Sequence, residues 1–348
     1  MPSTATHAYF IMDIYDKLPI ERKIFLKDDK ELLKVSAQSM DPLNFYFSKN
    51  FKKNKKVRSF AEYFHTHKTG EFLITLTNYI KYNYYASKSD VMAYLYGMIS
   101  HYVLDTTFHP YVYYKTGEFK KNVKDTYIYN SKHHEFETAI DRYLIKLREN
   151  MIPYKYKLYK EVFNISTIST DLKDVINFTY RETFHINDFD KVLLHSIKDM
   201  RLAFKLLRYD KTGIKYRFYK LIDIISSKKT LKLKFASYYY KTDMDFLNEE
   251  HKTWYYPTNK RKKYNMTFRD LYIKALSDAL HIIKEVDAYI YDNKKVNLDT
   301  ASLDTPISLP ANIVVPLLEN PGITASAWDN PITKVCFKVK SLYSVGFG

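Results

Sequence analysis

The chain has 348 residues, enough to bury a core without cross-links, and its single cysteine, Cys336, excludes an internal disulfide and fits a reducing compartment. Lys and Arg total 55 against 39 Asp and Glu; the net charge of +16 attracts polyanions or anionic lipid, although abundant Lys serves first as a solvated face. Residues 1–30 lack the basic, apolar and small-residue pattern of a leader, and no run approaches the roughly 18 to 20 apolar residues of a membrane span, so a cytoplasmic location is expected.

Seven glycines are too few for a fold rich in tight turns. Apolar residues recur instead at helical spacing through most of the chain, which predicts an all-α fold of many helices. Basic clusters stand at Lys52 to Arg58, Lys228 to Lys234 and Lys260 to Lys263. In chain order, Asp90 as N-cap opens a helix over Val91 to about His109, and Ser131 opens another over about Lys132 to Arg148. Leu193, Ile197, Met200, Phe204 and Leu207 form the apolar stripe of a core helix. A second stripe runs Leu271, Ala275, Ala279, Ile282 and Val286, behind Thr267 and Asp270 at capping-box spacing. Five of the eleven prolines fall between 301 and 348, where no helix of useful length fits. The chain therefore reads as a helical domain over 1–295 and a proline-rich extension over 296–348, in which Cys336 to Tyr343 is weakly strand-like.

Seven of the eleven histidines lie before residue 135. His101, Asp105 and His109 succeed one another at steps of four, so their side chains share an arc of about 80° on one helix. His133 and Glu137 repeat the spacing on the next helix, with Asp141 one step beyond. Zinc takes imidazole nitrogen and carboxylate oxygen, four in structural sites and three plus water in catalytic ones. A single such pair is common on exposed helices, and His101 with Asp105 also reads as a buried hydrogen-bonded pair; that reading accounts for neither His109 nor the second cluster. His185, His195, His251 and His281 show no partner at ligand spacing and are read as ordinary surface or core histidines.

The ordered succession of Thr6-His7, AQSMDPLNFY with Asp41, FHTHKTGEF with His65, HYVLDTTFHPYVYY with His101, Asp105 and His109, and HHEFE with His133 and Glu137 resembles the zinc-dependent phospholipase C family. In ligand order it is also similar to the wider superfamily that includes the S1/P1 nucleases. The resemblance covers roughly residues 3–148 and extends weakly through HKTWYYP (251–257) and the Phe268 helix. It implies a phospholipase C/P1 nuclease-like bundle with a cluster of two or three zinc ions between core helices. One ion would be held by Asp41, His65, His101 and Asp105, and a second by His109, His133 and Glu137. A third would use the chain's amino terminus, His7 and a bridging Asp105. His65 is preferred to His67 because its distance to Gly70-Glu71-Phe72 matches the family, and His133 to His134 for its spacing to Glu137. The alternative for His7 is a solvent-facing residue at a helix start.

The same resemblance implies a phosphodiester hydrolase that releases a phosphorylated head group from a phospholipid by attack of zinc-activated water, with Asp41 taking the water proton. Choline specificity does not follow, because Pro42 and Thr4 stand where the choline-cleaving members carry a tyrosine and an acid. Phe45, Tyr46, Tyr63, Phe64, Phe108 and Tyr111 either line a pocket or fill the core, the core being the commoner use. Two alternatives stand beside this one. The first is an S1/P1-type nuclease or nucleotidase on single-stranded nucleic acid, which the missing disulfides and the short Asp105 to His109 spacing make less fitting. The second is a zinc-stabilised helical protein without turnover.

Overall fold

In the computed structural model, which describes residues 4–119, 123–207, 212–225, 238 and 241–291, the polypeptide is helical almost throughout. Helices α1 (Thr4–Lys17), α2 (Ile20–Phe25) and α3 (Lys30–Ser36) lead into a 3-10 turn, Asp41–Phe45. Helices α4 (Phe51–Thr66), α5 (Thr69–Tyr82), α6 (Ser89–Thr116) and α7 (Tyr127–Glu149) follow, then the short α8 (Leu158–Glu161), α9 (Thr170–Phe184), α10 (Phe189–Leu207) and α11 (Ile214–Ile225). A hairpin of β1 (Trp254–Tyr256) and β2 (Asn259–Tyr264) precedes α12 (Phe268–Tyr291). The extension 296–348, its Cys336 to Tyr343 stretch and the Lys228 to Lys234 cluster lie outside the described residues. Among those described, no helix is long and apolar enough to cross a membrane.

The longest helix is the axis of the fold. α6 has 28 residues, spans roughly 42 Å, and packs against α1, α3, α5, α7, α9 and α12. A helix surrounded in this way cannot keep a polar face, and from Val91 to Asp105 every α6 residue is buried. Its start and end both differ from expectation. The helix begins at Ser89, so Asp90 is not the N-cap but a first-turn carboxylate that suits the positive end of the helix dipole. It does not stop near His109, because Pro110 is carried inside the helix. Proline removes one helical hydrogen bond; burial of Tyr111, Val112 and Tyr113 in the next turn offsets that loss.

α7 starts one turn earlier than its spacing suggested. Ser131, expected as N-cap, sits buried inside the helix beside Asn130, because nothing in Tyr127 to Asn130 breaks the helix that follows the turn Lys124–Thr126. The capping box of α12 is present in full: Asp270 N donates to Thr267 Oγ1 at 3.1 Å, while Thr267 N and Oγ1 donate to Asp270 Oδ2 at 2.9 and 2.8 Å. The stripe behind it is buried, and its small residues Ala275 and Ala279 let α12 lie close on α6. On α10, Leu193, Ile197 and Met200 are buried and Phe204 is partly so, as the stripe required; the side chain of Leu207 lies outside those described.

Scarce glycine leaves its trace at helix ends, where Asn150 and His185 take the left-handed conformation at the C-termini of α7 and α9. Gly97 is required for a different reason. A Cβ there would lie 2.3 Å from Ser36 Cβ and 2.8 Å from Ala37 N, so only glycine lets the end of α3 meet α6.

The hairpin is the element that the sequence reading did not contain. Trp254 is buried on α6 against Tyr111, stacks on Tyr264 at 4.6 Å, and donates from Nε1 to Met266 O at 3.0 Å. Those contacts hold two strands too short to show an alternating pattern.

Candidate metal centre

Helix α1 is anchored by its first turn. Ala5 N, Thr6 N and Thr6 Oγ1 donate to the buried carboxylate of Asp141 on α7 at 3.1, 2.8 and 2.8 Å, and Tyr238 OH donates to it as well. One carboxylate thus satisfies amide groups that a helix start leaves unpaired. Asp141, the third member of the α7 series, is therefore engaged with α1 rather than with the metal-binding groups. Its role was invisible in sequence because Asp141 and Ala5 are 136 residues apart.

That anchoring carries His7 inward. His7 is 1% exposed, so the solvent-facing alternative does not hold. Its ring stacks on His101 with centroids 4.5 Å apart, and Nε2 lies 3.4 Å from Asp105 Oδ1. Burial, followed by the neighbouring His101, holds the His7 imidazole below its ordinary pKa, favouring the neutral form that binds metals.

Around Asp105 the imidazoles converge. His101 Nε2 is 3.2 Å from Asp105 Oδ2 and 3.2 Å from His65 Nε2, and His65 Nε2 is in turn 3.5 Å from Asp41 Oδ1. His109 Nδ1 approaches Asp105 Oδ1 at 3.7 Å. On α7, His133 Nε2 is 2.6 Å from Glu137 Oε1, and the His133 ring lies 5.7 Å from that of His109. Burial by itself would raise the Glu137 carboxyl; His133 and His109 beside it contribute to holding it at about 2.

The backbone orients three of these rings. Nδ1 of His101 donates to Ala37 O at 2.9 Å, Nδ1 of His65 to Ala61 O at 2.7 Å, and Nδ1 of His109 to Asp105 O at 2.7 Å. In each, the carbonyl acceptor places the ring proton on Nδ1 and leaves the lone pair on Nε2, which is how metal-ligating histidines are fixed.

Three sets bring their ligand atoms close enough to hold an ion: His7, Asp41 and His101; His65, His101 and Asp105; and His109, His133 and Glu137. All eight sequence-predicted ligands are here. The partition differs in one respect, because His7 faces Asp41 and His101 as well as Asp105. The expected terminal ligand falls in residues 1–3, outside those described. Imidazole nitrogen with carboxylate oxygen is the donor set of zinc, and Nδ1 of His7 is buried with no hydrogen-bond partner, an atom that a cation would satisfy. The residues fit zinc.

The competing histidines stand apart. His67 is exposed and stacks on Tyr63 at 4.4 Å, and His134 is half-buried and belongs to none of the three sets. His195 does have a partner at ligand spacing, contrary to the sequence reading: Asp199 lies four residues on, at 3.1 Å. The pair secures Phe47 rather than an ion, with His195 Nε2 donating to Phe47 O and Phe47 N donating to Asp199 Oδ2, both at 2.8 Å.

A cleft ends on His65, His101, Asp105 and His109. Its walls are mainly apolar, including Phe64, Leu73, Met98 and Tyr102, and the hairpin tip adds Tyr256 and Pro257. Of the six aromatics singled out in sequence only Phe64 lines the cleft; Tyr46, Phe108 and Tyr111 are buried, Phe45 packs against the core, and Tyr63 is on the surface.

A family model described as zinc dependent phospholipase C matches residues 6–186, just over half of the chain and every residue of the three sets. The chain belongs to the zinc-dependent phospholipase C family. It is accordingly a zinc-dependent hydrolase, a phosphodiesterase of the phospholipase C kind. No curated protein and no solved structure matches it. The family match ends within the loop after α9, so α10, α11, the hairpin and α12 lie beyond it.

Proposed function

We propose that this zinc phospholipase C hydrolyses the bond between glycerol and phosphate in a phospholipid, releasing the phosphorylated head group. The observation that carries the reading is the convergence of His7, His65, His101 and His109 on Asp105 at the foot of a mainly apolar cleft. An apolar wall suits the acyl-glycerol half of the substrate, and the polar floor suits its phosphate.

In this reading Asp41, His65, His101 and Asp105 hold one zinc, and His109, His133 and Glu137 hold a second. His7, with Asp41 and Asp105 near it, contributes to a third. Zinc when bound supplies Lewis acidity toward the phosphoryl oxygens and toward water. The protein's residues do the rest. Asp41 accepts the proton of the attacking water at its carboxylate. Ala37, Ala61 and Asp105, through their carbonyls, keep the imidazoles in the tautomer that presents Nε2. Tyr102, Leu73 and Met98 exclude bulk water from the floor.

The reading is tested by following release of phosphorylated head group from phospholipid vesicles, nucleotide release from single-stranded DNA, and thermal stability, each with and without chelator. Head-group release that stops on chelation and returns with zinc supports it. Nucleotide release alone turns it toward the nuclease branch, and a chelator effect on stability alone overturns it. Asp41→Asn should lower turnover by about 10^2-fold or more while zinc content is retained; unchanged turnover at full zinc removes Asp41 from the role of base.

A further inference from the structure

Helix α11 is mounted with its apolar face outward. Ile214, Phe218, Leu221 and Ile225 stand at i, i+4, i+7 and i+11, a stripe about 60° wide. All four are more than half exposed, Ile225 at 74%. The opposite side of the helix carries the buried Asp223 and the half-buried Tyr216. A surface helix ordinarily turns its apolar stripe to the core; here the polar side faces the protein.

α10 presents a matching strip. Its core face is Leu193, Ile197, Met200 and Phe204, and the same helical geometry puts His195, Asp199, Leu202 and Leu206 together on the far side, within about 60°. Leu202 and Leu206 are 52% and 59% exposed. Phe47, itself 62% exposed, is fastened to that strip by the His195 and Asp199 hydrogen bonds. At the end of α10 the carbonyl of Leu206 accepts from Lys215 Nζ at 2.9 Å and Tyr219 OH at 3.3 Å, which ties α11 beside it. Cations border both stripes: Lys198 and Lys205 on α10, Lys215 and Arg217 on α11.

We infer that these two outward stripes, with Phe47, form a docking surface for a bilayer containing anionic lipid. The charge decides the occupant. An amphipathic helix with apolar residues on one side and Lys and Arg beside them seats at the headgroup boundary of an anionic membrane, and the chain's +16 charge adds long-range attraction. The surface is joined to the metal centre: Phe47 follows the turn Asp41–Phe45, and Phe45 packs on Phe204 of α10 with centroids 5.8 Å apart. The inference rests on the phospholipid reading for its purpose and not for its test, because docking needs no turnover.

The test is co-sedimentation of the full chain with vesicles of phosphatidylcholine alone and with vesicles one third phosphatidylserine, at low and high salt. The wild type should partition to the anionic vesicles and release partly with salt. Phe218→Glu with Leu221→Glu, and separately Leu202→Gln with Leu206→Gln, should each weaken that partition about tenfold or more, with helical content unchanged. Both variants should keep the wild-type rate on a short-chain phospholipid dissolved below its micellar concentration. Partition unaffected by both variants overturns the inference. So does a wild-type dimer that the variants dissociate, which gives the face to a second copy of the chain. Vesicle binding lost in the variants although the wild type cleaves no lipid would leave the docking surface standing and remove only the phospholipid reading.

Discussion

The carbonyl of Ala37, one residue past the end of α3, accepts the Nδ1 proton of His101 at 2.9 Å, so the position of α3 sets the direction in which His101 offers Nε2. Gly97, one turn before His101 on the same helix, is what allows that approach.

Gly97→Ala should therefore do two things at once. The added methyl meets backbone and Cβ atoms of α3 and should destabilise the fold by about 1–3 kcal/mol. By shifting Ala37 it should also weaken zinc binding about tenfold or more, as loss of an orienting partner does. Thermal unfolding and zinc titration of the same sample measure both, and a stability loss at unchanged zinc affinity would show that His101 is held without α3.

Asp141→Asn removes a carboxylate that accepts from Ala5, Thr6 and Tyr238 and places an amide among donors. We expect a loss of about 2 kcal/mol or more. Zinc stoichiometry should fall with it, since His7 rides on the turn that Asp141 anchors; metal analysis of the variant decides the point.

Chelation should lower the unfolding temperature by about 10 °C, the effect of withdrawing a tightly held ligand from the native state. Asp41, Asp105 and Glu137 are buried, and without a cation only the neighbouring imidazoles offset the cost of burying their charge. Restoring zinc should return the transition, while magnesium, which prefers oxygen ligands, should not. Calorimetry with each metal provides the measurement.

Thr267→Val should cost α12 about 1 kcal/mol at neutral pH through loss of its cap. Hydrogen bonds from Thr267 hold the Asp270 carboxyl below its ordinary value of 3.8. A depressed folded-state pKa means that the contribution is present above that value and disappears as the pH falls through the lower one. The gap in unfolding temperature between wild type and variant should accordingly narrow below pH 3.8, which a pH series of melts would reveal.

The candidate metal centre is legible in sequence where local periodicity carries it. Steps of four on α6 and α7 put His101, Asp105, His109, His133 and Glu137 on two inward faces, and an amphipathic pattern located α10 and α12. What sequence spacing could not supply were contacts between distant segments. Asp141 reads as one more carboxylate in an α7 series until its partners in α1 are seen. The helix expected over Val91 to about His109 runs on through Pro110, with Tyr111 to Tyr113 buried beyond it, and nothing in local spacing shows which way α11 is mounted. The hairpin was missed because its strands are held by Trp254 of β1, packed against Tyr111 of α6, rather than by their own alternation.

That hairpin separates two properties of the enzyme that usually change together. α6, which bears His101, Asp105 and His109, is surrounded by six helices, whereas Tyr256 and Pro257 close the cleft from a short loop anchored at Trp254, in sequence that the family match does not reach. Exchange of residues 256–259, between the anchoring pair Trp254 and Tyr264, can reshape the entrance while the histidine-bearing helices stay as they are. A laboratory graft of another loop onto the Trp254 anchor would then alter what enters the cleft without altering the imidazoles and carboxylates beneath it.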